Sequence, residues 1–233
     1  MAGGKDTAGA PDLSALRDLG VRAMSAVVMV AVAGAALWTG GIAWTVLVGL
    51  IALGVYYEWT RLVLAIAKSL PGRGVWLLAG LGYIGLAALT LNGMRNPDFG
   101  LRPIVSLIIT VIGVDVGAYL AGRIIGGPKI APSISPSKTW AGLLGAMLAA
   151  TLLMVQFWKT KWGYALAGPG IAIVAQAGDF FESWMKRRAG VKDSGALIPG
   201  HGGLFDRVDG LLAAALVLAA WQWGTGGAVL AWR

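Results

Sequence analysis

Seven apolar runs set the limits on what this chain can become. They lie near residues 22–39, 42–62, 75–92, 102–122, 139–158, 163–185 and 204–224. Each approaches the ~20 residues that a helix needs to cross the hydrocarbon core of a bilayer. In lipid every backbone N–H and C=O must be satisfied within the segment, so such runs are read as helices even where Gly and Pro interrupt them. Composition agrees: 57% of the 233 residues are hydrophobic, 13% are charged and the mean hydropathy is +0.73. A soluble domain of this size cannot hide that much apolar surface. The absence of cysteine excludes a disulfide, a thiolate nucleophile and a Cys-based metal site.

The expected architecture is therefore all-α, a polytopic membrane helical bundle of about seven transmembrane helices. Residues 1–20 read as a flexible cytoplasmic tail with an amphipathic start near Leu13–Leu19, residues 21–112 as N-terminal membrane helices, and residues 113–233 as catalytic membrane helices with cytoplasmic loops. The first run is read as a retained span, not a cleaved signal peptide, because it is long and a second span follows at once. With seven spans, one side of the membrane collects only Arg95, Arg102, Lys159, Lys161 and Arg233, while the remaining fourteen of the 19 basic residues fall on the other. The basic side is cytoplasmic by the positive-inside rule, which places the N-terminus there and the C-terminus outside. The net charge of +8 is then a property of these loops and of their attraction to phosphates and anionic lipids, with no nucleic acid implied. Trp38, Trp44, Trp59, Trp76, Trp140, Trp158, Trp162, Trp184 and Trp223 stand at run ends, where an interfacial belt is expected.

The acids are few and clustered. Asp115 and Asp179 interrupt apolar runs, so each must face the bundle interior or a wet cavity. Asp179 and Glu182 are three apart and share a helix face, with Ser183 beside them, and Asp206 and Asp209 repeat that spacing at the start of the last run. Two such pairs on two helices can clamp a divalent cation through oxygen ligands, Mg²⁺ being the natural guest when phosphates supply the other ligands. The same acids could instead pair with Lys186, Arg187 and Arg207. Lys192-Asp193-Ser194-Gly195 and Pro199-Gly200-His201-Gly202-Gly203 form a glycine-rich loop before a helix. Such a loop lets backbone N–H groups approach an anion, or is simply a turn. His201, the only histidine, suits an acid or base, a phosphate donor or a helix cap. In the stretch 133–140, Ser133, Ser135, Ser137 and Thr139 alternate with other residues while Pro132 and Pro136 keep the backbone extended. Lys138 and Thr139 then open the next run, which suits either a phosphate or a cap. Glu58, in Tyr57-Glu58-Trp59, reads as an ion-pair partner of Arg61 in preference to a catalytic group.

Together these residues resemble the signature of the phosphatidate cytidylyltransferase (CDP-diacylglycerol synthase) family. The likeness rests on Ser183-x-x-Lys186-Arg187, Lys192-Asp193-Ser194-Gly195, Leu197-Ile198-Pro199-Gly200-His201-Gly202-Gly203 and Asp206-Arg207-x-Asp209. Upstream, Asp115-Val-Gly-Ala-Tyr, Gly122-Arg123, Ser135-Pro136-x-Lys138-Thr139-Trp140 and Gly178-Asp179 add to it. Val116, Ala141 and Gly210 depart from the family pattern. The resemblance implies a reaction in which CTP and phosphatidate give CDP-diacylglycerol and pyrophosphate with Mg²⁺, a monovalent cation such as K⁺ sharing the site. It implies a metal site around Asp179 and Asp206, to which the clustering of acids adds Asp209, Asp115 and Glu182 as outer ligands or as groups supporting the ligands. Lys186 and Arg207 join the two aspartates in catalysis. Ser135, Lys138, Thr139, Ser183, Arg187, Lys192, Asp193, Ser194, His201, Gly202 and Gly203 would bind substrate. The partners implied are CTP, phosphatidate and membrane lipids, with room for a homodimer. The place implied is the bacterial inner membrane, the site facing the cytoplasm. The rival readings are a CTP-dependent enzyme acting on another lipid phosphate and an ion-coupled transporter. The second is disfavoured because a permeation path needs polar groups through the full depth of the membrane.

Overall fold

The computed structural model describes residues 13–95, 100–157 and 162–224. The seven apolar runs become seven helices: α1 (Leu13–Thr39), α2 (Gly41–Ile66), α3 (Leu70–Met94), α4 (Arg102–Ile124), α5 (Trp140–Phe157), α6 (Trp162–Ala189) and α7 (Phe205–Gly224). Helix α1 begins at Leu13, so the last part of the expected tail is helical. Residues 1–12, with Lys159, Lys161 and Arg233, lie outside the described residues. Helices α1 to α5 are long and apolar enough to cross a membrane, as an all-α bundle in lipid requires.

The 133–139 stretch is extended, as its prolines require, but it is not a plain loop. It supplies strand β2 (Ser135–Thr139), which pairs antiparallel with β1 (Lys129–Ala131), Lys129 facing Thr139 and Ala131 facing Ser135. Pairing with β1 satisfies backbone groups that an isolated extended segment would leave open. At the end of β2 the Thr139 hydroxyl accepts from Gly142 N at 3.0 Å and so caps α5. The hairpin holds Lys138 against Asp179, in the C-terminal half of α6.

Chain neighbours pack together, α2 on α3, α4 on α5, α5 on α6 and α6 on α7, and α7 also lies against α3. Lipid gives helices no hydrophobic reason to associate, so close backbone approach through small residues takes that part. A side-chain Cβ at Gly117 would sit 2.6 Å from the Gly145 carbonyl oxygen, which locks α4 on α5. One at Gly178 would sit 2.7 Å from the Asp209 carbonyl oxygen, which locks α6 on α7. Between α4, α5 and α6 the core is Val114, Ala146, Ala150, Ala172 and Ala175.

The tryptophan belt is only partly realised. Trp38 and Trp140 are exposed as expected, but Trp44 and Trp59 are buried. A buried indole needs a partner for its N–H. Trp59 donates to the Trp76 carbonyl at 2.9 Å and Trp44 to that of Leu91 at 3.2 Å. Around Trp59 stand Trp76, Tyr83, Phe181 and Phe205, with centroids 5.8–6.2 Å away, joining α2, α3, α6 and α7. Trp158 and the side chains of Trp162 and Trp223 lie outside the described residues.

Candidate active site

Helix α6 presents Asp179 and Glu182 from one face, and the glycine contact at Gly178 brings α7 close enough for Asp209 to join them. One carboxylate oxygen from each of Asp179, Glu182 and Asp209 lies within 4.8 Å of the others. Glu182 is 1% exposed, and its Oε1 has no hydrogen-bond partner among the described residues. A buried, bare carboxylate oxygen is unfavourable by itself and is matched by a cation. All three donors are hard oxygens, the type that a divalent ion such as Mg²⁺ takes. Ligands of one ion at bonds of about 2 Å stand up to about 4 Å apart, so a small inward shift of these side chains closes the set. The residues present fit such an ion.

Two ammonium groups sit among the acids. Lys186 Nζ lies 2.5 Å from Glu182 Oε2 and 2.5 Å from Asp206 Oδ1. Lys138, carried by β2, pairs with Asp179 and lies 4.5 Å from the Phe180 ring centroid. Removing Lys186 would leave Glu182 and Asp206 facing each other, at side-chain exposures of 1% and 9%. Lys186→Met is therefore expected to lower stability by about 3 kcal/mol and Lys186→Arg by much less, as read from denaturation of the purified protein in detergent.

Asp206 occupies a different place from Asp209. Its Oδ2 accepts from Ser194 N at 2.9 Å, Ser194 Oγ at 2.8 Å and Gly203 N at 3.0 Å. It stands in the first turn of α7, and the loop 192–203 is folded onto it. With Oδ2 held by the loop, Oδ1 turns toward Lys186 and, through that ammonium, toward Glu182. The structure thus groups Asp179, Glu182 and Asp209 as one trio, and Asp206 meets Glu182 both through Lys186 and carboxyl to carboxyl. Asp115, exposed on α4, is not one of these three, but it lies near enough to Asp179, Asp209 and Lys138 to feel their charges.

Glu58 departs from expectation. It makes no ion pair with Arg61, which lies over the Tyr57 ring at 6.0 Å. Glu58 is fully buried and accepts from Ser194 Oγ at 3.0 Å, Leu204 N at 3.0 Å and Phe205 N at 2.8 Å. The reason is general: the first N–H groups of a helix lack intrahelical partners and need an acceptor. The signal was available, since an acid inside an apolar run must find a partner, the rule applied to Asp115 and Asp179.

His201 ties the loop to α1. Its Nδ1 is 2.9 Å from Ser25 Oγ on α1, and Ser25 Oγ donates to the Pro199 carbonyl at 3.0 Å. The His201 carbonyl accepts from Arg207 Nε at 3.2 Å and Nη2 at 2.6 Å. Gly200 and Gly202 have φ of 76° and 80°, a left-handed backbone that explains their identity. Ser183 Oγ donates to Asp179 Oδ1 at 3.3 Å. Ser135 and Thr139 are buried in or beside the hairpin, while Arg187, Lys192, Asp193 and Arg207 are exposed.

A profile described as the cytidylyltransferase family matches residues 71–223, more than half of the chain and every member of the acid cluster. The chain belongs to that family. Among cytidylyltransferase relatives, the phosphatidate cytidylyltransferase of Brucella suis biovar 1 (strain 1330) is 36% identical over 251 aligned residues, covering 87% of this chain and 93% of the relative. That of Helicobacter pylori (strain ATCC 700392 / 26695) is 41% identical over 143 residues, covering 59% of this chain and 53% of the relative. That of Mycobacterium tuberculosis (strain ATCC 25618 / H37Rv) is 42% identical over 130 residues, covering 54% of this chain and 39% of the relative. The Brucella alignment reaches beyond the 71–223 span that the family profile covers, over most of this cytidylyltransferase chain.

Proposed function

We propose that this integral membrane protein transfers the cytidylyl group of CTP to phosphatidate, giving CDP-diacylglycerol and pyrophosphate. Membership of the cytidylyltransferase family and the names of its relatives support the reaction. The observation that carries the site is the trio Asp179, Glu182 and Asp209, with the bare oxygen of buried Glu182 among them. In this reading Asp179, Glu182 and Asp209 hold Mg²⁺, with Asp206 beside them through Oδ1 and K⁺ as a further monovalent ion. When bound, Mg²⁺ neutralises charge on the triphosphate and helps pyrophosphate leave.

The chain's own residues do the rest by position and charge. Lys138 and Lys186 turn from the acids toward phosphate oxygens, and exposed Arg187, Lys192 and Arg207 receive the anionic ends of CTP and lipid. A phosphatidate oxygen, already ionised, forms a bond to the α-phosphorus as the bond from that phosphorus to the bridging oxygen breaks. No strong general base is required. Purified protein given labelled CTP should form labelled lipid with phosphatidate and lose that activity with EDTA. Product only with a prenyl-glycerol phosphate would move the assignment to another lipid substrate, and no product with either would end it.

The site faces the cytoplasm in this reading, because CTP is soluble and the basic loops gather at that end. The cysteine-free chain makes the test simple. Ser137→Cys should react with a membrane-impermeant maleimide in inside-out vesicles and be shielded in intact cells. The reverse pattern would invert the orientation.

A further inference from the structure

We propose that Glu58, on α2, is a positioning residue for this site. The inference rests on the reading of the site just given. A carboxylate is almost never fully buried without a charged partner, yet Glu58 is 0% exposed and makes no ion pair among the described residues. All its recorded partners are the neutral donors Ser194, Leu204 and Phe205. It therefore acts through the loop and the start of α7.

Two features tie it to the chemistry. First, Glu58 receives the N–H groups of Leu204 and Phe205, and Asp206 is the next residue. Where α7 begins is thus registered against α2, an element that carries none of the acids in the cluster. Second, the single proton of the Ser194 hydroxyl lies between Glu58 Oε2 at 3.0 Å and Asp206 Oδ2 at 2.8 Å. Ser194 also gives its backbone N–H to Asp206 Oδ2 at 2.9 Å. Glu58 thereby fixes the residue that fixes Oδ2, leaving Oδ1 aimed at Lys186. The loop has been shaped for this contact, since a Cβ at Gly195 would sit 2.2 Å from Glu58 Oε1. Glutamine cannot substitute, because its amide N–H₂ would meet one of these donors head-on.

The test uses the full chain in detergent with lipid substrate. Glu58→Gln should lower kcat by about 30-fold, since misplacing reacting groups by around 1 Å can remove about 10²-fold in rate. KM for phosphatidate should change less than about twofold, because no substrate contact is lost. Mn²⁺ binding, read by electron paramagnetic resonance without turnover, should weaken by about tenfold, as for other loss of support behind ligands. Glu58→Asp keeps an acceptor and should recover part of both. Gly195→Ala should reproduce the kcat loss by displacing the carboxylate, and should add little to Glu58→Gln, since the two act on one contact. Arg61→Ala, one turn away on Tyr57, should behave as wild type. Should Glu58→Gln fail to fold, Gly195→Ala and Glu58→Asp report the same quantities. Wild-type kcat and Mn²⁺ affinity per folded molecule in these variants would overturn the proposal and leave Glu58 a purely structural cap. If the wild-type protein makes no CDP-lipid, the reaction reading fails separately, and Mn²⁺ binding still decides the part played by Glu58.

Discussion

Replacing Asp179 by alanine is expected to lower CTP turnover at least about 1,000-fold while leaving a folded protein. Losing one of three carboxylates around a divalent ion removes several kcal/mol of transition-state charge stabilisation, and about 4 kcal/mol corresponds to a factor of about 10³ in rate. Folding should survive at a cost of about 1–3 kcal/mol, because the Asp179 side chain is 34% exposed while the buried Lys138 Nζ loses its ion-pair partner. Steady-state assays at saturating CTP, alongside melting in detergent, check both halves. Asp115→Ala is the matched comparison, since Asp115 lies on α4 outside the trio, and it should retain activity within about tenfold of wild type, the smaller loss expected of a group not binding the ion. An Asp179→Ala enzyme that turns over within tenfold of wild type would remove the trio from the mechanism.

The helices were legible because lipid leaves the backbone no other choice. Seven apolar runs and the internal hydrogen bonding they require lead to helices whatever the side chains do next. The spacing of Asp179 with Glu182 and of Asp206 with Asp209 showed that two helices each carry a pair of acids on one side. It did not show which member of the second pair would group with Asp179 and Glu182 and which would face Lys186. That choice depends on packing, with Asp209 delivered where α7 rides over Gly178 and Asp206 kept at the helix start by the loop. Glu58 was misread for a related reason. Arg61 is its neighbour in sequence, whereas its partner Ser194 is 136 positions away. The β1–β2 hairpin was half visible, its extended backbone set by Pro132 and Pro136 but its pairing with Lys129–Ala131 unsignalled. Trp59 shows the limit of composition, because a tryptophan at a run end can face the headgroups or turn inward to Trp76 and Phe205, and only the neighbouring helices decide.

The contact between α6 and α7 leads to the second large effect. Gly178→Val is expected to lower stability by about 3 kcal/mol or more and to reduce activity about 100-fold, because overpacking a tight contact forces backbone shifts and misplaced groups lose rate. A Cβ at position 178 would stand 2.6 Å from the Ala213 Cβ and 2.7 Å from the Asp209 carbonyl oxygen. Neither neighbour is the far end of a flexible side chain, so relief requires α7 to move. That movement carries Asp209 away from Asp179 and Glu182, which couples fold and chemistry at one residue. Gly170 is the control on the same helix, since a Cβ there meets nothing within 4 Å. Gly170→Ala should be neutral or stabilising by about 0.5–1 kcal/mol, the gain of replacing glycine in a helix interior. In Gly178→Ala, adding Ala213→Gly removes one of the two clashes and should recover part of the lost melting temperature, while the clash with the Asp209 carbonyl keeps activity below wild type. Melting and turnover of the four proteins decide the matter. Gly178→Val as stable and as active as Gly170→Ala would mean that the close approach of α6 and α7 does not set the distance between Asp179 and Asp209.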